Sequence, residues 1–390
     1  MDGVALGVGS AGCGLVLWAA RVRGGMDDRV REHAEVLVDW SARVESGDDV
    51  VVSVSEGAHD LAVAVAEALG ERGANVVQLY SSAEASRAYL RAHPGEFEVG
   101  EHELALVENA DVGLRLGASR NASAAVDVDA ETRQASSKAN EPVRDAWRDL
   151  DYVSTLHPTR ALAQQAELSY EAYCDFVYDA ILRDWESLAD EMAQMKDVLD
   201  DGSEVRLVIG EHTDVSMSIE GRTAVNSAAS VAYDSSNLPS GEVFTAPYDT
   251  TGEVRFDVPM TFRGKQVRDV LLVFEDGEVV DHAAGVNEDV LGDILETDDG
   301  ARRLGELGIG MNPGIDRFTD NILFDEKMRD TVHMAVGRAY DANLPEGEEG
   351  NQSAVHVDMI ANVGEDSRLE VDGEVVQRDG VFRWEDGFEA

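Results

Sequence analysis

The chain has 390 residues, 44% of them hydrophobic and 28% charged, which suits a globular protein large enough for two or more cores. Its 78 Asp+Glu against 32 Lys+Arg leave a formal charge of -46. No basic stripe is available to neutralise phosphates, which excludes nucleic acid and anionic membrane surfaces as partners. Cys13 and Cys174 are the only cysteines, which excludes a disulfide framework or a thiolate zinc site.

The acidic residues are interleaved with Val, Ala and Leu along the whole chain. A disordered acidic tail would form a block without periodic apolar residues. The pattern reads as a folded protein with a carboxylate-coated surface. Molar salt shortens the Debye length to roughly 3 Å and screens the self-repulsion of such a surface. The expectation is a cytoplasmic protein of a salt-accumulating organism.

In chain order, Val4 to Ala20 is apolar but short of the roughly 20 residues that span a bilayer. Asp2 stands where a secretory signal carries positive charge. Met26 opens a helical pattern, so residues 1–25 are expected to be a non-native extension. The Gly7-x-Gly9-x-x-Gly12 run has too few residues before it for a strand to feed the turn, so it is not a dinucleotide fingerprint. Val30 to Trp40 reads as an amphipathic helix and Val50 to Val54 as a strand. Ala58 to Glu71 reads as a helix ended by Gly73, and Asn75 to Leu79 as a second strand. This is a βαβ unit and implies a parallel sheet. Glu103 to Val107 and Val112 to Leu116 read as further strands, and Asp127 to Asp149 as helix-compatible.

Tyr170 to Leu199 predicts one long helix with an aromatic stripe of Tyr170, Tyr173, Phe176, Tyr178 and Trp185, read as core packing. Beyond Gly202 come strand-like runs at Val205 to Ile209, Val215 to Ile219, Val254 to Val258, Val270 to Phe274 and Glu278 to Asp281. A helix is expected from Asp330 to Tyr340, and strands at Val355 to Met359, Glu370 to Val376 and Val381 to Trp384. The fold class is α/β. An N-terminal α/β domain with a parallel sheet (26–165) precedes a β-rich α+β domain (166–390), the expected metal-binding unit.

Four segments of the second unit carry chemistry. In Ser240-Gly241-Glu242-Val243-Phe244, a Pro- and Gly-containing loop delivers Glu242 to an apolar run. In Leu304-Gly305-Glu306-Leu307-Gly308, Glu306 is the only acid among apolar and glycine residues, and an embedded carboxylate needs a cation or a strong donor. In Asp325 to Tyr340, a helical spacing of seven would put His333 and Tyr340 on one face. In Val355-His356-Val357-Asp358, positions two apart on a strand share a side, and imidazole with carboxylate suits Zn, Co or Mn. Each segment alone also fits a solvated or core residue; their joint occurrence in one unit favours a metal pair. His33, His59, His93, His102, His157, His212 and His282 lie in polar or loop-like surroundings and read as ordinary.

The sequence from about residue 30 to 385 resembles the aminopeptidase T/aminopeptidase S family of M29-type metallopeptidases. Gly241 to Pro247, Asn321 to Lys327 leading to His333 and Tyr340, and His356-Val357-Asp358 carry the resemblance, with His157 to Gln165 at a domain junction. It implies two divalent metal ions held by Glu242, Glu306, His333, His356 and Asp358, with Tyr340 catalytic. Glu306 is either a bridging ligand or the general base, and Lys327 has no assigned role. The resemblance further implies a homodimer that releases N-terminal amino acids from peptides with a free N-terminus by attack of metal-activated water. A dinuclear hydrolase of another amide or ester, and a non-catalytic peptide- or metal-binding module, are the competing readings.

Overall fold

The computed structural model describes residues 26–94, 96–121 and 124–389. The expected extension, its glycine run and Cys13 lie outside the described residues. Asp27 caps the first helix (Asp28–Glu35) by accepting from Arg29 N, and the helix runs on as a π-helical stretch, Val36–Ser41. Strand β1 (Asp49–Ser55) follows, then helix His59–Arg72, closed by Gly73 at φ 78°. That left-handed cap costs a glycine nothing, where a side chain would be strained.

Strands β1, β2 (Asn75–Ser81), β3 (Val112–Gly117) and β4 (Asp151–Leu156) form the predicted parallel sheet, in the order β2-β1-β3-β4. A short strand from the second half, Asn237–Leu238, extends it in parallel beside β4. Alternation along β1 places Val51 in a cluster with Val107, Val143 and Trp147 on one face. Val50, Val52 and Val54 enter the main core on the other face. The main core runs without interruption from there to Leu307, Val332 and Met334 of the second half. Each fully buried Val or Leu contributes roughly 1.5–3 kcal/mol.

The second half carries an antiparallel eight-stranded sheet and an antiparallel five-stranded sheet. The five-stranded sheet is made of Val225–Ser227, the Glu242 strand (Glu242–Thr245), the Glu306 strand (Leu304–Gly310), the His333 strand (Thr331–Gly337) and the His356 strand (His356–Asn362). Met192 and Met195, from the buried side of helix Trp185–Asp201, belong to the same core as Val243 of the Glu242 strand.

Four elements differ from expectation. Glu103 to Val107 is not a strand but part of the helix Glu101–Val107, whose first turn carries Glu101 and Glu103; acids in a first turn suit the helix dipole. The long helix is two, Tyr170–Ile181 and Trp185–Asp201, because Asp184 caps a new helix by accepting from Ser187 N. Glu370 to Val376 is a hairpin, Ser367–Val371 and Glu374–Arg378, turning at Asp372 (φ 50°) and Gly373 (φ 81°). Two positive φ values at Asp-Gly make the tight turn that suits twisted strands. Asp330 to Tyr340 is not a helix but the His333 strand followed by a loop. Every residue of that strand is buried, so its apolar run lacks the alternation that marks a half-exposed strand.

Two histidines also differ from their expected polar surroundings. His33 is fully buried, with Nε2 2.8 Å from Thr155 Oγ1, and burial pushes its pKa down to about 3. His157 is buried too, and burial lowers its pKa. The aromatic stripe behaves as expected: Tyr173, Phe176, Tyr178 and Trp185 are all buried in the core.

Among the described residues no helix is long and apolar enough to cross a membrane. The acidic surface makes stability depend on ionic strength. The melting temperature, followed by circular dichroism, should rise by several degrees or more from dilute buffer to molar KCl. A melting point that stays flat or falls would remove the halophilic reading.

Candidate metal centre

The five-stranded sheet puts all five expected ligands on one face. Glu306, Ala335 and Asp358 lie opposite one another across three strands, and Gly308, His333 and Ile360 form the adjacent row. Glu242 lies opposite Gly310, two residues beyond Gly308. His356, two residues before Asp358, lies opposite Gly337. Directly opposed residues and those two apart point to the same side of a sheet. The acids and imidazoles therefore stand over a floor of Gly308, Gly310, Ala335 and Gly337, which leaves space above the strands.

Glycine at 308 is a steric requirement. A β-carbon there would meet His333 Nε2 at 2.0 Å, so the imidazole ring lies across the Gly308 backbone. Gly305 is likewise pressed against the carbonyls of Gly337 and Arg338, both at 2.4 Å from such a carbon.

The ligand atoms fall into two groups that share one residue: Glu242, Glu306 and His333 in one, Glu306, His356 and Asp358 in the other. Within each group the atoms lie within 4.8 Å of one another. Glu306 Oε1 is 3.0 Å from His333 Nε2, while Glu306 Oε2 is 3.4 Å from His356 Nε2. Each oxygen of one carboxylate thus faces a different imidazole. Glu242 Oε2 lies 3.6 Å from His333 Nε2, and Asp358 Oδ1 lies 3.5 Å from His356 Nε2. His356 Nδ1 donates to the Arg338 carbonyl at 2.8 Å, which fixes the tautomer and leaves Nε2 free to ligate.

Two residues that the sequence reading left out of the site complete it. Lys327, fully buried, reaches Glu242 Oε1 at 3.3 Å and donates to Glu326 Oε1. Burial opposes its charge, but Glu242 and Glu326 raise its pKa above the usual lysine value. The turn that delivers it is held by Asp325, which accepts from Thr319 N and Oγ1 at 2.8 Å and from Asn321 N at 2.9 Å. Burial pushes the Asp325 carboxyl up to about 7. The available signal was one of the chain's few lysines, directly after Asp325 and Glu326 in a segment leading to His333. Tyr340 follows the His333 strand rather than sharing a helix with it. Its ring packs between Phe244 (centroids 5.9 Å apart) and His356 (4.9 Å).

Electrostatics decide what this cluster can hold. Glu242, Glu306, Glu326 and Asp358 oppose a single ammonium, a formal excess of three negative charges beside two imidazoles. Two like charges about 4 Å apart repel by roughly 4 kcal/mol at an effective dielectric of 20. The buried oxygens Glu242 Oε2 and Asp358 Oδ1, one from each group, have no hydrogen-bond donor. A buried acceptor without a donor costs about 1–3 kcal/mol, more when charged. Divalent cations relieve both problems, and the carboxylate–imidazole donor set suits Zn, Co or Mn. The residues present therefore fit the expected metal pair.

Without cations the imidazoles carry the compensating charge. Burial disfavours their charged forms, yet hydrogen bonding and charge from the carboxylates push His333 up to about 9 and His356 up to about 11. Burial acts on Glu306 too, but its two imidazole partners bring it down to about 2. Glu242 moves up, with burial outweighing Lys327 and His333. Tyr340 is 44% exposed overall, but burial of its phenol end and the negative charge of Glu306 and Asp358 raise its pKa, which keeps it a hydrogen-bond donor. A cavity of about 470 Å³, lined in part by Leu162, Met260, Phe262, Phe318 and Ile322, opens against His356 and Asp358.

Two outcomes follow from this geometry. Gly308→Ala should displace the His333 ring and weaken zinc binding at least tenfold, read by competition with a chromogenic chelator; unchanged affinity would mean the ring is not a ligand. Metal binding must deprotonate both imidazoles. Calorimetric titration of chelator-stripped protein with zinc at neutral pH, in buffers of different ionisation enthalpy, should therefore show proton release. Because these histidine pKa values lie above neutrality, affinity should fall as pH is lowered; zinc uptake without proton release would contradict the assignment.

Comparisons with known proteins place the whole chain in a family. The family model described as thermophilic metalloprotease (M29) matches residues 26–383. Aminopeptidase 2 of Geobacillus stearothermophilus is 28% identical over 404 aligned positions, covering 90% of this chain and 96% of that protein. Aminopeptidase T of Thermus aquaticus is 41% identical over 153 positions, covering 35% of this chain and 36% of that one. The structure of wild-type AmpT from Thermus thermophilus superposes with a TM-score of 0.79 at 24% identity, over 91% of this chain and 99% of the other. A 2,5-dihydroxypyridine dioxygenase from Pseudomonas putida KT2440 shares the fold at a TM-score of 0.59 and 14% identity, over 92% of this chain and 97% of the other. With the family model spanning the acidic cluster and both imidazoles, the chain belongs to the M29 family of metalloproteases.

Proposed function

We infer that this protein is a metal-dependent aminopeptidase, a hydrolase that removes N-terminal amino acids from peptides at a two-metal centre in residues 166–390. The observation that carries the reading is Glu306, with one oxygen facing each imidazole between two ligand groups. In it, Glu242 and His333 would hold one cation and His356 and Asp358 the other, with Glu306 able to offer one oxygen to each. A bridging carboxylate has no oxygen left for proton transfer, so this reading takes Glu306 as a ligand and not as the general base.

Divalent cations bound there supply positive charge that polarises the scissile carbonyl and lowers the pKa of water. The chain's own groups do the rest. Tyr340 Oη, held protonated, donates a hydrogen bond to the oxygen on which negative charge develops. Arg338, through its carbonyl, keeps the His356 ring in its ligating orientation. The apolar side of the cavity accommodates a peptide side chain next to His356 and Asp358. Lys327 is already engaged by Glu242 and Glu326 and does not offer a free counter-charge to a phosphoester. The enzyme is read as a cytoplasmic homodimer whose partners are peptides with a free N-terminus.

Two measurements test the reading. Peptides with a free N-terminus should be cleaved in molar KCl with added zinc, cobalt or manganese. Chelator or N-acetylation of the substrate should abolish cleavage; equal cleavage of acetylated peptides would point to a different amide hydrolase. Tyr340→Phe should lower kcat by about 10²–10³-fold, the typical loss of one oxyanion donor, with metal content unchanged. Full activity in that variant would remove Tyr340 from the mechanism.

A further inference from the structure

We propose that Glu326 is the proton-transfer residue of this reaction and that Lys327 positions it; the inference rests on the aminopeptidase reading above. Glu326 is the carboxylate of the cluster that belongs to neither ligand group. It stands against Lys327, whose ammonium is also in contact with the ligand carboxylate Glu242. Its Oε1 accepts from Lys327 Nζ, and the same Nζ contacts Glu242 Oε1. One buried ammonium thus ties a non-ligand carboxylate to a ligand carboxylate at a set distance.

Exposure separates the roles. The Lys327 side chain is 0% exposed, those of Glu242 and Glu306 are 7%, that of Asp358 is 11% and that of Glu326 is 17%. Among these carboxylates Glu326 is the most exposed and the one with no ligand role. Glu306 has both oxygens committed, and the unpartnered oxygens of Glu242 and Asp358 belong to the ligand groups.

As the water oxygen forms its bond to the carbonyl carbon, one water proton passes to the Glu326 carboxylate. The carbon–nitrogen bond then breaks, and the proton passes from the Glu326 carboxyl to the amide nitrogen, which leaves as an amine. Glu326 returns ionised, and no oxidant or reductant is needed. Lys327 keeps its protons throughout; it orients the carboxylate and holds Glu242 in place. Lys327 is the charged group in contact with Glu326, and Glu242, His333 and Asp358 act on it through their charge.

The test uses full-length protein loaded with zinc. Glu326→Gln, nearly isosteric, should retain wild-type zinc content by elemental analysis and change KM only a few-fold. Its kcat should fall about 10²–10⁴-fold, the usual contribution of general acid–base catalysis. The acid limb of its kcat/KM profile should flatten. Glu326→Ala should recover part of its kcat with added formate, which a purely structural carboxylate would not allow. Lys327→Met should lose zinc affinity as well as kcat, because it also releases Glu242. Loss of zinc in step with activity in Glu326→Gln, absence of formate rescue, or a kcat within threefold of wild type would each overturn the proposal. Failure of the zinc-loaded wild type to cleave any free-amine peptide would overturn the aminopeptidase reading together with it.

Discussion

The structure depends on concentrated negative charge held in one place. Three carboxylates stand on one face of an antiparallel sheet and a fourth, Glu326, sits in a turn beside them, with a single buried lysine to answer them. In a low-dielectric interior that arrangement is unfavourable unless cations enter or imidazoles take up protons. The elevated histidine values describe the second solution, and the two overlapping ligand groups describe the first. Metal binding and proton release are therefore parts of one charge balance.

The sheet can hold such a cluster because its central strands are nearly free of bulk on that face. Gly308, Gly310, Ala335 and Gly337 form the floor, and the backbones beneath are fixed by ladder hydrogen bonds on both sides. The opposite face carries Leu307, Ile309, Val332 and Met334 into the main core. Rigidity comes from apolar packing on one side and function from small residues on the other. The contrast with the outside of the molecule is sharp: outside, acids are dispersed and screened by solvent, whereas inside they are close and need specific partners.

Much of the architecture is legible in local pattern. The βαβ unit follows from Val50 to Val54, a helix closed by Gly73, and a second β-branched run. The pairing of His356 with Asp358 follows from the period of a strand. The His333 segment is where pattern reading fails. A strand buried on both faces has no alternation, and its Val and Ala spacing mimics a helix. The same limit applies to Glu103 to Val107, whose apolar residues suit either state, and to the long aromatic helix, where one capping aspartate outweighs the propensity of its neighbours.

By itself the sequence determined the residue types that can ligate metal, their placement in Gly- and strand-rich segments, the parallel unit near the start and the acidic exterior, because these are properties of composition and short-range periodicity. Only the tertiary structure decided that Glu306 divides its oxygens between two imidazoles, that the His333 ring lies across Gly308, and that Lys327 joins Glu242 to Glu326. These are contacts between strands distant in sequence. Their geometry is set by ladder register and by which backbone positions leave room above the sheet, and neither is encoded in any single segment.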